Sequence, residues 1–117
     1  MINLNWIKCS DGNWCDLFVV DLNHEHFRNL EGVYIVWHGG HNPWTVKVGQ
    51  GNIKDRLAKH RIDKDILVYR SYNLWVTWAK VDLKYRDGIE AYLANTLSPK
   101  VGERFPNRFP IIVNLPW

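Results

Sequence analysis

Two short apolar runs around a Gly/Asn/Pro-rich loop constrain this chain more than any other feature in it. Residues 33–37 (VYIVW) and 44–48 (WTVKV) flank the loop HGGHNP, and two β-rich runs joined in this way read as a hairpin. A one-residue slip of pairing would turn every side chain to the opposite face. The register is therefore set by keeping apolar residues together. Opposing Val33 with Val48, Ile35 with Val46 and Trp37 with Trp44 makes one face wholly apolar, and that face is expected to be the core face. The other face then opposes Tyr34 with Lys47 and Val36 with Thr45. A phenol and an ammonium fall side by side on the non-core face.

Gly49 and Gly51 end the second run and allow a tight turn. A helix is expected over residues 53 to about 61, with Asn52 as its N-cap and Asp55 three residues on. It presents Arg56 and His60 at i and i+4, on one face. Ile53 and Leu57 lie beside them and anchor the helix, so that face borders the packed side. A second helix spans residues 85 to about 97 and is stopped by Pro99. Its Glu90 shares a stripe with Leu93, Ala94 and Leu97. A carboxylate there is costly unless it is paired, with Arg56 or Arg86, or binds a metal. Further strands are expected over residues 16–22, 73–81 and 111–115, with a turn at SDGN (residues 10–13). Strands and helices mix without strict βαβ alternation. The expected fold class is α+β: a small, mainly antiparallel sheet flanked by helices, with an N-terminal β extension.

The 117 residues suit one domain, divided as an extension (1–31), a core (32–102) and a C-terminal segment (103–117). A net charge of +3 permits contact with phosphate without the strong basic footprint of a nonspecific nucleic-acid binder. Seven tryptophans supply much buried area, most in the core and a few free for stacking. Cys9 and Cys15 have no second pair with which to form a zinc knuckle. The start MINLNWIK lacks a signal h-region, so the two thiols are expected to be reduced and the protein cytoplasmic. No apolar run is long enough to span a bilayer, so no membrane partner is expected.

Four of these elements, in this order, resemble the GIY-YIG nuclease family. Gly32-Val33-Tyr34 resembles the first signature and Lys47-Val48-Gly49 the second. QGNIKDRLAKH resembles the helix bearing Arg56 and His60, and EAYLANTLSP the helix that begins with Glu90. Lys47 stands where the family has Tyr, and Gly102 falls where a later Asn is usual, for which Asn107 or Asn114 would have to substitute. The resemblance implies a metal-dependent endonuclease hydrolysing phosphodiester bonds, with DNA as the expected substrate. It implies one Mg²⁺ (or Mn²⁺) held by Glu90 and Tyr34 as general base toward water, its pKa lowered by nearby cations. Lys47 and Arg56 would supply that field, Arg56 would brace the scissile phosphate, and His60 would relay a proton or touch phosphate. Lys54, Lys59 and Asn107 would bind substrate. Specificity would come from loops, a homodimer or a partner protein. The alternative is a degenerate member that binds nucleic acid or a protein without cutting.

Other features have plainer readings. His24-Glu25-His26 reads as a surface turn rather than a metal triplet. His38 and His41 lie in the hairpin loop. Lys54, Lys59 and Arg61 form a phosphate-facing rim or an ordinary solvated helix face. The basic run KVGERFPNR (residues 100–108) reads as a substrate-side loop.

Overall fold

A computed structural model describes residues 1–39, 43–102 and 106–117. Its strands are β1 (Cys15–Asp16), β2 (Glu31–His38), β3 (Trp44–Asn52) and β4 (Trp75–Lys80). Its α-helices are α1 (Ile53–His60), α2 (Lys64–Leu67) and α3 (Leu83–Leu97). The sheet runs in the order β1-β4-β2-β3 and every neighbouring pair is antiparallel. This is the expected α+β class.

Both faces of the sheet are covered. On one, Val33, Ile35, Trp37 and Val48 pack against Ile89 and Leu93 of α3 and against Val113. On the other, Tyr34, Val36, Val46, Val76 and Trp78 pack against Ile53 and Leu57 of α1, Ile66 of α2, and Leu17 and Phe27. A strand buried on both sides needs an unbroken apolar run rather than an alternating one, and VYIVW is such a run. Each fully buried Val, Leu or Ile side chain contributes roughly 1.5–3 kcal/mol. Trp78 extends this core, with its ring centroid 4.9 Å from that of Phe27 and its Nε1–H donating to His26 Nε2 at 3.0 Å.

The hairpin forms, but two residues out of the expected register before a bulge and one residue out beyond it. Tyr34 opposes Gly49, Ile35 opposes Val48 and Val36 opposes Lys47; beyond a bulge, Trp37 opposes Thr45 and His38 opposes Trp44. Val46 is the extra residue. The expected register assumed one dry face and one wet face. With both faces dry, gathering every valine on one side gains nothing, and a bulge that sends Val46 to the Tyr34 side fills both cores. Tyr34 is therefore 2 % exposed rather than on an open face.

Capping follows the sequence closely. Asn52 Oδ1 accepts from Asp55 N at 3.0 Å. Helix α3 ends at Leu97, with Ser98 in the left-handed region just before Pro99. Other expectations fail for local reasons. The strand expected over residues 16–22 stops at Asp16, whose Oδ1 accepts from Phe18 N at 2.8 Å and turns the chain away. The strand expected over 73–81 is trimmed to β4, because Asn73 has φ 67. The one over 111–115 reduces to a single parallel bridge, Ile2 to Val113. Cys9 and Cys15, expected as reduced thiols, are joined in a disulfide. The loop they close presents Trp14, which meets Trp37 edge-on at 5.2 Å. No helix among the described residues is long and apolar enough to cross a membrane.

Asn114, a sequence candidate for the substrate-side Asn, is instead a clamp. Its Oδ1 accepts from Leu4 N at 2.5 Å and its Nδ2–H donates to Leu4 O at 3.0 Å. Asn114→Ala strands both backbone groups of Leu4 and should lower the unfolding free energy by about 1–3 kcal/mol. Urea denaturation measures this; a loss below about 0.3 kcal/mol would show that the terminal segments fold independently of the sheet.

Candidate active site

The sheet's two covered faces leave edge strand β3 as the place where polar groups from both sides can meet. They do so at a cavity of about 410 Å³ lined by Tyr34, Lys47, Gly49, Gln50, Arg56, Glu90 and Pro106. Four elements contribute: β2, β3, α1 and α3. A larger cavity of about 740 Å³, lined by Trp14, Trp75, Trp78, the disulfide, His24 and His26, contains none of the residues of the nuclease resemblance.

Glycine makes this edge permeable. A Cβ on Gly49 would lie 2.2 Å from the Tyr34 hydroxyl, so only glycine lets the phenol cross β3 into the cavity. Gly51, at φ +127, leaves room for the Arg56 guanidinium, whose Nε would stand 2.9 Å from an added Cβ. Arg56 is exposed while His60, four residues on, is 6 % exposed. The two share a side of α1 but not an environment. Arg56 crosses the sheet edge and His60 lies under the sheet.

Tyr34 Oη and His60 Nε2 are 2.5 Å apart and share a hydrogen bond. His60 Nδ1 is buried without a partner among the described residues. Burial pushes the imidazole down to about 4, aided by the positive charges of Lys47, Arg56 and Lys59 and opposed by Asp63. His60 is thus neutral near pH 7. It does not line the cavity, so it reaches that space through Tyr34. For Tyr34 itself, burial raises the phenol above its ordinary value. Arg56 pulls it down and Glu90 adds to the rise. The lowering expected from nearby cations is present but smaller than the cost of desolvation.

Glu90 is buried, yet neither of the ion pairs foreseen for it forms. Arg86 turns away, donating from Nε to Val81 O at 2.9 Å and pairing with Glu31 at 3.4 Å. The partner of Glu90 is Gln50, whose Nε2–H donates to Glu90 Oε2 at 2.6 Å and to Asp87 Oδ1 at 2.7 Å. Burial raises the Glu90 pKa, the Gln50 hydrogen bond and Lys47 lower it, and Asp87 raises it; the net direction is upward. Sequence reasoning missed both Gln50 and Asp87. Their signals were a long polar side chain between two glycines, and a second carboxylate one helical turn before Glu90.

Lys54 and Lys59 are exposed and stand outside the cavity lining, as does Asn107, which is exposed next to Pro106. Arg61 is no rim residue. Its Nε and Nη2 donate to Leu17 O and Val20 O, at 2.7 and 2.5 Å, and hold the N-terminal loop. Gly102 has φ +119 and offers no side chain. His24 caps a short turn by accepting from His26 N at 3.0 Å, as the turn reading expected. His38 closes β2, whereas His41 and residues 103–105 of the basic run lie outside the described residues.

No protein-family model, curated protein or solved structure matches this chain.

Two consequences of the electrostatics are measurable. Because the His60 pKa is lowered in the folded state, from 6.5 to about 4, its stabilising contribution is whole above pH 6.5. It is lost as pH falls from there toward 4, by roughly 3 kcal/mol in all. Urea denaturation across this window should show the loss, and His60→Gln should flatten that part of the profile. The Glu90 pKa is raised, so its ionised form costs stability at neutral pH. Glu90→Gln should therefore raise the unfolding free energy at pH 7, as read by urea denaturation. A decrease would mean that the carboxylate is a net structural asset.

Proposed function

We propose that the chain is a metal-dependent nuclease of the GIY-YIG kind, hydrolysing phosphodiester bonds in DNA at the β3 edge. The observation that carries this reading is the convergence of Tyr34, Lys47, Arg56 and Glu90 on one cavity, Tyr34 and Arg56 through side-chain-free positions in β3. Two cations suit a phosphate, Arg56 as a planar fork and Lys47 as a point charge. An ordinary buried ion pair would have matched Glu90 to one of them. Instead Glu90 meets an amide, and its charge remains to be balanced from the cavity.

The donor set suits one hard divalent ion. Mg²⁺ commonly takes one or two carboxylates and fills its other positions with water and substrate oxygens. Glu90 would hold it, with Asp87 on the same Gln50 amide as the nearest second carboxylate. Bound there, the ion would stabilise charge on the phosphoryl oxygens as a Lewis acid. The chain's own groups account for the remaining steps. Arg56 and Lys47 orient the phosphate and offset its charge. Tyr34 accepts a proton from the attacking water as it passes its own to His60, whose neutral imidazole lies on the far side of the phenol. This path replaces a free phenolate with an imidazolium that burial also disfavours, so the proton returns through Tyr34 to the leaving oxygen as the P–O bond breaks. His60 acts through Tyr34 and is a positioning residue.

Tyr34's burial also supports a second reading, in which the cavity binds a nucleic-acid phosphate without cutting. Lys47 in place of the second signature tyrosine favours the same reading.

Plasmid nicking and single-strand cleavage separate the two. Hydrolysis predicts cutting that depends on Mg²⁺ or Mn²⁺ and stops with EDTA. Tyr34→Phe and Glu90→Ala should each slow it by about 100-fold or more with the fold intact, and Gly49→Ala should do so by displacing the phenol. No cutting across metals and substrates sinks the nuclease reading, and salt-dependent DNA binding in that case selects the second.

A further inference from the structure

The same face of the hairpin that carries Tyr34 and Lys47 ends in a cluster of rings. His38 and Trp44 are directly opposed across the strands, with ring planes 4° apart and centroids 6.4 Å apart. Tyr72 stacks on the same imidazole at 4.7 Å and 18°. Trp44 is 55 % exposed and Tyr72 is 61 % exposed. The bulge at Val46 puts Trp44 here. A regular ladder continued from Ile35–Val48 would carry Trp44 to the α3 face, where Trp37 and Trp14 already pack.

A cation accompanies the rings. Lys100 Nζ lies 5.3 Å from the Trp44 ring centroid, and its backbone N–H donates to Thr45 O at 3.2 Å, which fixes the lysine beside the tryptophan. Trp44 and Lys47 are three residues apart on one extended strand, about 10 Å. Going along β3, the edge thus offers flat rings, then Lys100, then Lys47 and the Arg56 cavity.

From this order we infer that Trp44 and Tyr72 form a stacking platform for unpaired nucleobases of a single strand whose phosphate lies in the Tyr34 cavity. The inference rests on the reading of that cavity as a phosphodiester site and names its substrate class. Base faces are flat, apolar and available for stacking only when a strand is unpaired, and a ring platform beside a cationic track is how single strands are held without sequence readout. Rings with exposed edges and no adjacent cations would suit a protein partner equally; the fixed lysine at Trp44 and the phosphate-suited cavity on the same strand favour the polyanion.

The test is fluorescence anisotropy with the full chain in EDTA at low salt, comparing labelled oligothymidylate with an abasic strand of equal length. The platform predicts at least about tenfold tighter binding of oligothymidylate. Trp44→Ala and Tyr72→Ala should each weaken it about five- to hundredfold with little effect on the abasic strand, whereas Lys47→Ala should weaken both strands alike. Both ring positions are exposed, and circular dichroism checks that the variants fold. Equal affinity for the two strands, no binding to either, or an unchanged Trp44→Ala would overturn the platform. So would self-association that Trp44→Ala abolishes without any preference between strands. Metal-dependent nicking by a protein indifferent to bases would leave hydrolysis standing and remove the platform. Base-dependent binding without nicking would do the reverse.

Discussion

Burial of β2 on both faces is the constraint from which the rest follows. A strand with α3 on one side and α1 and α2 on the other has no solvent face on which to display chemistry. Any functional group rooted in it must leave sideways. Tyr34 does so past Gly49, over an edge strand with nothing there to block it. The same geometry lets Glu90 reach from the opposite face through Gln50. The cavity is therefore a property of the sheet's edge, and its polar groups come from both sides of one layer.

That placement has an energetic cost concentrated in a few atoms. His60 Nδ1 is buried without a partner among the described residues, and Glu90 keeps a carboxylate where burial favours its protonated form. Neither is explained by packing. An apolar residue at either position would be easier to fold around. The surrounding core, with Trp78, Leu57 and Ile53 fully buried, offsets these local costs. Groups that a stability argument would remove are the ones a site argument needs.

Much of this was legible in the residues. The cap at Asn52 and the stop at Pro99 are local chemistry, and both helices that carry site residues appear where those signals place them. The hairpin was legible as well, because its loop and its apolar runs are local. Its register was not. Choosing it required knowing whether the second face of β2 is wet, and that depends on Leu17, Phe27 and Ile66, which come from distant parts of the chain. The short α2 and the early end of β1 escaped for the opposite reason: single side-chain-to-backbone bonds from Asp63 and Asp16 decide them. Gln50 was passed over because a neutral amide carries no family signature, although its position between Gly49 and Gly51 left it few roles but reaching. The disulfide was misread because compartment was inferred from the lack of a leader, whereas proximity of Cys9 to Cys15 is set by the turn between them.

The two backbone bonds that residues 100 and 101 make to β3, Lys100 N to Thr45 O and Val101 N to Val46 O, have a consequence for the molecule's solution behaviour. An outer strand with free N–H and C=O groups is a template for pairing with another chain, and proteins with such strands must guard them against aggregation. Here the guard is the segment just after α3, and it covers the bulged half of β3. At the other half, glycines and a charged cavity do that work. The open stretch offers a second sheet little to zip against, so the same glycines that admit Tyr34 also make this edge a poor seed for fibrils.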